Sequence, residues 1–359
     1  LVCLSDTPWS SVPARTQQLM TRLKDVHILY FEPPARRQGC PWKKPARRVR
    51  PGLLVYSLPP VLDGEGEHPL LFRLGQRKLA RYVEKAMLRH RVQDPVLWCA
   101  IPTAVHLLDG LPRQGLVYDC GRDWSSLPDQ WESELALAAD VVFAASPLLA
   151  DRLAPCSSNV ALLPNGVNFP LFSRPSDLSY DPLPQTTGPV LGWAGTIRPE
   201  LDLEPLLYAA RTVPRWTFVL LGPQGEGNSL LPRLRRLPNV VLPGGCPMAQ
   251  VPDWLYRCDV LLDFLRDDRT CDDLVSCRML EYLATGRPVV SMLWPDQIEP
   301  LPDVVYGAHS DQEFLTLCRH ALDEPPNFAA QRRRSHAAAA SWPLRCTQVV
   351  NILTTAGLL

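Results

Sequence analysis

Short apolar runs alternate with stretches of helical spacing, and the rhythm is played twice with a proline-rich break between. That order is the sequence form of a parallel sheet covered by helices. In the first half the expected strands are Leu1–Leu4, Val26–Phe31, Val96–Cys99, Leu116–Asp119, Val141–Ala145 and Val160–Leu163, with helices over Thr16–Leu23 and Leu70–Arg89. Residues 173–189 carry Pro175, Pro182, Pro184 and Pro189 without apolar periodicity, which marks the domain boundary. The rhythm restarts with Val190–Trp193, Thr217–Leu221, Val240–Leu242, Val260–Phe264 and Pro288–Ser291. Helices are expected over Asp202–Ala210, Val251–Arg257, Cys277–Thr285 and Asp311–Asp323, and a last one from Gln331 to about Leu353, interrupted near Trp342-Pro343. Two similar α/β halves should face a cleft, and open α/β sheets bind ligands outside their strand C-termini.

Composition removes several function classes. The 359 residues are long enough for two cores, and 37 basic against 37 acidic side chains argue against nucleic-acid binding by bulk charge. No apolar run is long enough to span a bilayer. The opening Leu1-Val2-Cys3-Leu4 lacks the basic flank of a signal peptide and reads as a buried strand; Leu1 in place of methionine suggests a trimmed start. Eleven scattered cysteines, odd in number and never spaced Cys-x-x-Cys, read as reduced thiols of a cytoplasmic protein. The seven histidines show no H-x-x-x-H pair, so no metal site is expected. A nicotinamide enzyme is disfavoured because no G-x-G-x-x-G follows the first strand.

The most informative segment is Asp273-Leu-Val-Ser-Cys-Arg-Met-Leu-Glu-Tyr-Leu-Ala-Thr-Gly-Arg-Pro-Val-Val290. Ser276 is a good N-cap, and Gly286-Arg-Pro288 ends the helix and launches a β-branched strand. Arg278 and Glu281, three apart, share one helical face near the N-terminus. First-turn N–H groups, the helix dipole and Arg278 suit an anion, while a carboxylate one turn on can accept from a ribose diol. Together they describe a nucleotide-diphosphate site; a surface helix with an Arg–Glu pair fits the same residues.

This segment resembles the E-x7-E region and "EYLA-x-G-K-P-V-V" signature of retaining, family-4-type GT-B glycosyltransferases, with Asp273 at the first Glu. Further strings resemble the teichuronic-acid (TuaH-like) group in the same order. They are Arg15-Thr-Gln-Gln-Leu-Met20, Tyr30-Phe-Glu-Pro-Pro34, Val117-Tyr-Asp-Cys120 with Asp123-Trp124, Ala139-Asp-Val-Val-Phe143 and Pro164-Asn-Gly-Val-Asn168. Gly192-Trp-Ala-Gly-Thr196, Val219-Leu-Leu-Gly-Pro223, Pro238-Asn-Val240 and Ser341-Trp342 follow. The resemblance implies a GT-B α/β fold: a Rossmann-like acceptor domain over 1–172, a linker over 173–189, a Rossmann-like donor domain over 190–335 and a helix over 336–359 crossing back to the first domain. It implies a sugar transferred from a nucleotide-diphosphate sugar, with UDP-sugars first in line, to a cell-surface polysaccharide or lipid-linked acceptor, without metal or other cofactor. Uracil and guanine are not distinguished by any residue.

Carried over residue by residue, Glu281 would bind the ribose, and Arg278 with the N–H groups of Leu274, Val275, Ser276 and Cys277 would bind phosphate. Arg198, after Gly195-Thr196, would face the diphosphate, Asp273 the transferred sugar, and Leu242–Cys246 (with Gly244) the base; Gly222 closes the neighbouring strand. The chain departs from the family in its first loop, where Asp6-Thr-Pro-Trp-Ser-Ser11 replaces a glycine pair, and in Arg278 for Lys.

An inverting reaction needs an acceptor-side base, for which Asp119 and Asp123 are candidates and His106 a third. Asp273 instead points to retention. The basic tract Arg36–Arg50, with Arg47, Arg48 and Arg50 at its end, reads either as a solvated loop or as a patch against anionic lipid or a lipid-linked pyrophosphate, with Arg15 on the same acceptor side. The expected place is the cytoplasm, at the inner face of the membrane. Two rivals remain: a catalytically silent partner that keeps the fold, and an epimerase on the same fold.

Overall fold

The computed structural model describes residues 1–10, 12–33, 45–61, 69–174, 183, 186–199, 201–225, 227–264, 273–292, 301, 303–325 and 327–359. They form two compact units, Leu1–Pro164 with Pro343–Leu359, and Asn165–Trp342.

The first unit runs β1 (Val2–Leu4), α1 (Arg15–Arg22), β2 (Ile28–Glu32), β3 (Arg47–Arg50), β4 (Leu53–Ser57), α2 (Pro69–Arg89), β5 (Val96–Cys99), a 3-10 segment (Pro102–Gly110), β6 (Gly115–Cys120), α3 (Asp129–Ala138), β7 (Val141–Ala144), α4 (Pro147–Leu153) and β8 (Val160–Leu162). Its sheet has the order β3-β4-β2-β1-β5-β6-β7-β8 and is parallel except for β3 against β4. Such strands are buried on both faces, which is why Val2–Leu4, Val96–Cys99 and Val141–Ala144 are apolar throughout. Strand order reverses between β1 and β5, the position where doubly wound sheets open a crevice.

The second unit runs α5 (Phe169–Phe172), β9 (Val190–Ala194), α6 (Glu204–Thr212), β10 (Thr217–Leu221), α7 (Leu231–Leu234), β11 (Val240–Gly244), α8 (Val251–Tyr256), β12 (Val260–Asp263), α9 (Cys277–Thr285), β13 (Val289–Ser291), β14 (Tyr306–Gly307), α10 (Asp311–Leu322) and α11 (Ala330–Ala339). Its parallel sheet has the order β11-β10-β9-β12-β13-β14, with a core on either face built on Leu191, Trp193 and Phe218 or on Val219, Leu261 and Tyr282. A last helix, α12 (Trp342–Thr355), begins at the unit boundary, and its residues from Pro343 belong to the first unit. Cys346 Sγ there lies 3.7 Å from the Leu19 carbonyl of α1.

The two α/β units and the returning helix match the expectation, but their boundaries move. Asn165–Phe172 joins the second unit instead of closing the first, because Val167 N donates to Ala340 O (3.0 Å), Trp342 N donates to Val167 O (3.0 Å) and Phe172 is fully buried there. Residues 336–342 likewise stay with the second unit, and the break between the last helices falls at Ala340–Ser341. Of the expected linker, 175–182 and 184–185 lie outside the described residues. Strands β3 and β4 come from the tract read as a basic loop and its sequel; its 36–44 part lies outside the described residues. Every described cysteine is a free thiol.

Candidate functional site

Three glycines bring the C-terminal ends of β9, β10 and β11 to one rim. Gly195 N donates to Leu221 O and Gly222 N to Gly244 O, each at 2.9 Å. Gly222 (φ +145°) and Gly244 (φ +85°) adopt backbone that side chains disfavour, and a Cβ on Gly222 would stand 1.7 Å from the Gly195 carbonyl oxygen. Only glycine allows this approach. Past the strands the pairing continues from Ile197 N to Pro223 O (2.9 Å) and Gly225 N to Ile197 O (2.8 Å). Buried Asn228 donates to the carbonyls of Arg198 (2.9 Å) and Leu201 (3.1 Å), staking a loop that leaves Thr196 and Arg198 exposed.

Helix α9 abuts this rim. Its cap is as expected: Ser276 Oγ accepts from Met279 N (3.1 Å), and Gly286 (φ +78°) ends it. The Val275 carbonyl accepts from Asn165 Nδ2 (3.0 Å), which orients the turn holding half-buried Asp273, Leu274 and Cys277. Tyr282 Oη accepts from Ala194 N (2.7 Å), so the helix is fixed to the residue just before Gly195. The glycine rim and the N-terminal half of α9 are therefore held as one assembly.

Arg278, expected to bind phosphate with the first-turn N–H groups, is also tied to an aspartate. Its Nε and Nη2 both donate to Asp263 Oδ1 (3.0 and 2.6 Å) at the end of β12, and its guanidinium stands 5.2 Å from the Trp193 ring centroid. A Cβ at Gly195 would lie 3.1 Å from Nη1, so the remaining arm faces the rim. Burial works against the Arg278 charge, but Asp263 more than offsets it and the pKa rises. Glu281 is half-buried; burial lifts its carboxyl to about 8, Arg278 pulling it only partly back. A carboxyl raised to about 8 beside a half-buried cation and a helix N-terminus marks a candidate functional site. Trp193, Asp263, Asn228 and Tyr282 support the site and were not singled out from sequence; a lone aspartate ending the apolar run Val260-Leu-Leu-Asp263 was the available clue.

In the first unit most of the sequence candidates are engaged by neighbouring side chains or backbone, and Arg47 and Arg48 are exposed. Asp119 is 1% exposed at the end of β6, and Arg15 donates to its Oδ1 from Nε (3.0 Å) and Nη2 (2.8 Å). Arg15 is thus the counter-ion of a buried carboxylate instead of an acceptor or membrane contact, and Asp119 is no free base. For Asp123, burial raises the pKa, but hydrogen bonds from Ser125 N (3.3 Å) and Arg152 outweigh it and hold the carboxyl below its usual range, a poor basis for proton abstraction. His106 packs edge-on against Phe72 (5.0 Å) and Trp131 (4.7 Å), and burial lowers its pKa. Arg50 donates to the carbonyls of Pro51 (2.9 Å) and, at the end of α1, of Met20 (3.4 Å) and Leu23, so it caps a helix. Arg47 and Arg48 are exposed on edge strand β3.

Asp6, directly after β1 at the strand-order switch, was passed over. Burial raises its pKa, aided by Asp119, while Arg122 (3.5 Å) and a hydrogen bond from Thr16 (3.4 Å) oppose that. Its carboxyl is thus shifted up where that of Asp123 is shifted down. A separate cavity of about 420 Å³ opens at the far end of α9, lined by Tyr256, Asp259, Arg287, Glu324 and Arg334 among others; it lies at the strand N-termini, away from the rim.

No family profile matches the chain. It is 26% identical over 363 aligned residues, 90% of its length and 87% of the relative's, to a Bacillus subtilis (strain 168) protein provisionally assigned as the teichuronic acid biosynthesis glycosyltransferase TuaH. Among solved structures it resembles sucrose-phosphate synthase (tll1590) from Thermosynechococcus elongatus, with a TM-score of 0.77 at 14% identity over 99% and 98% of the two chains. It also resembles Anabaena Alr3699/HepE, solved with UDP and glucose, with a TM-score of 0.71 at 16% identity over 98% and 99%. The fold is GT-B.

Proposed function

We infer that this chain is a nucleotide-sugar-dependent glycosyltransferase, moving a sugar from a UDP-type donor to a cell-surface polysaccharide or lipid-linked acceptor without a metal ion. The observation that carries this reading is the joining of α9, with its capped N-terminus, Arg278 and Glu281, to the glycine rim through Tyr282 and Ala194. Similarity to TuaH along most of the chain supports the reaction class.

In this reading the carboxyl of Glu281 receives the ribose diol, while first-turn N–H groups of α9 and the free arm of Arg278 face the diphosphate. The bare backbone of Gly195, Gly222 and Gly244 admits the donor closely, and Arg198 reaches in from the staked loop. Fixed positive groups stabilise charge developing on the leaving diphosphate, so they speed transfer without moving. Asp273, eight residues before Glu281, attends the sugar. On the first unit Asp6 is the carboxylate suited to the acceptor hydroxyl. The protein works in the cytoplasm, peripheral to the membrane; among the described residues no helix is long and apolar enough to cross one.

The test is thermal unfolding with UDP, GDP, ADP, dTDP and CMP, with and without EDTA, on wild type and Glu281→Ala. A ligand at 100 times its Kd adds roughly 2.7 kcal/mol of stability. One nucleotide should shift wild type, indifferently to EDTA, and fail to shift Glu281→Ala. No shift with any nucleotide would discard the donor site and favour a silent partner.

A further inference from the structure

Helix α2 buries one face in the core and carries exposed leucines and basic side chains on the other. The inward set, Leu79, Ala80, Val83, Ala86 and Met87, is buried, and Tyr82 meets Phe31 (6.5 Å) and Tyr56 (6.4 Å) of the sheet. On the opposite side Leu70, Leu74 and Leu88 are 76%, 59% and 69% exposed. At 100° per residue these three fall within about 40° of one another, Leu70 and Leu74 at one end of the helix and Leu88 near the other. Between them the same face is basic, with Arg77, Arg81 and Lys85 at its centre and Arg73, Lys78 and Arg89 at its edges; all six are exposed, against the single acid Glu84. No ion pair to any of the six is found among the described residues. In a chain with 37 basic and 37 acidic groups this is a pronounced local excess.

We propose that the outer face of α2 docks on an anionic phospholipid bilayer, lying in the plane of the interface. The leucines at the two ends enter the headgroup–acyl boundary, and the long basic side chains between and beside them keep their charges among the lipid phosphates while their stems cover apolar surface. The helix of 21 residues is about 30 Å long, enough to engage several headgroups at once. A soluble polyanion would match the charges but leave the leucines at both ends of the face in water, so those leucines decide for the bilayer. This replaces Arg15 and Arg50, whose guanidinium groups are engaged within the unit, as the membrane contact. The proposal does not depend on the donor-site reading.

Co-sedimentation of the full chain with phosphatidylglycerol/phosphatidylcholine vesicles tests it, using Leu70→Gln/Leu74→Gln and Arg77→Gln/Arg81→Gln/Lys85→Gln, all exposed positions whose melting should match wild type. Wild type should bind in proportion to phosphatidylglycerol and not to phosphatidylcholine alone. Each charge near an anionic surface is worth roughly a fivefold change in partition, so the triple variant should lose at least tenfold, and the leucine pair should also lose binding. Heparin binding should fall in the triple variant only. Absence of wild-type binding to anionic vesicles would overturn the proposal. So would a leucine variant that sediments like wild type, or a loss confined to Arg47→Gln/Arg48→Gln on β3.

Discussion

Removing Arg278 separates a structural strut from a pure ligand contact. Asp263 is 2% exposed, and both donors from Arg278 reach one of its oxygens. In Arg278→Met the carboxylate loses its counter-ion inside the core. Breaking a buried pair this way costs about 3–5 kcal/mol. Asp263 can escape by taking a proton, which at about 1.4 kcal/mol per pH unit between 4 and 7 caps the loss near 4 kcal/mol at neutral pH. For a unit of this size each kcal/mol moves the melting temperature by about 2–4 °C, so the drop should be roughly 6–16 °C.

The pH dependence carries the sign. In the variant the folded-state pKa of Asp263 is raised, so stability is retained at low pH and lost as pH climbs through that value. The deficit against wild type should therefore shrink by about 2–3 kcal/mol between pH 7.5 and 5.5. Replacing the pair together, Arg278→Met/Asp263→Leu, should restore most of the stability but not nucleotide binding. Calorimetry or circular-dichroism melts of the full chain at both pH values read all of this. A single variant that melts with wild type, or a double variant no better than the single, would refute the strut.

Other expectations follow from the same contacts. With Glu281 titrating near 8 and the ribose diol favouring the carboxylate, nucleotide binding should release a proton and tighten by up to about tenfold per pH unit from 6.5 to 8; calorimetry should show this in wild type and a flat profile in Glu281→Gln. Gly222→Ala should cost about 1–3 kcal/mol in backbone strain alone and abolish the nucleotide-induced shift, because its Cβ would displace Gly195. Arg15→Met strands Asp119 and should destabilise the first unit by about 3–5 kcal/mol, yet leave nucleotide affinity by calorimetry unchanged, since the residues proposed for the donor lie in the second unit. Arg333, 1% exposed, donates to Glu324 (2.7 and 2.6 Å) and to the carbonyls of Val304 and Gly286; Arg333→Met should melt the second unit early and blunt the UDP shift by loosening the end of α9.

Much of the site was legible because it is local. Ser276, Arg278, Glu281 and Gly286 belong to one helix, where cap chemistry and 3.6-residue spacing decide which groups share a face, and the structure agrees with both boundaries of α9. Gly195, Gly222 and Gly244 were legible as strand ends; that all three meet on one rim required the strand order β11-β10-β9. The ion pairs of the first unit were not legible for a related reason. Asp119 and Asp123 sit at plausible places along the chain, but Arg15 lies 104 residues from Asp119 and Arg152 lies 29 from Asp123, and no local pattern announces either pairing.

Alternation of apolar runs and helical spacing was enough to determine two parallel α/β units, because buried parallel strands tolerate little but apolar residues and each needs a crossover to its neighbour. Proline content placed the boundary only approximately: composition marks where a chain cannot be regular, whereas a unit ends where packing ends, and Phe172 and Val167 pack with the second unit. What only the tertiary structure decided is which charges are free. Arg15, Arg50 and Arg278 look alike in sequence to Arg77 and Arg81, yet the first two are spent on a buried carboxylate and a helix end, Arg278 gives two of its donors to Asp263, and the last two face solvent. A charge's function depends on its counter-ion and its distance from water, and both are set by residues far away along the chain.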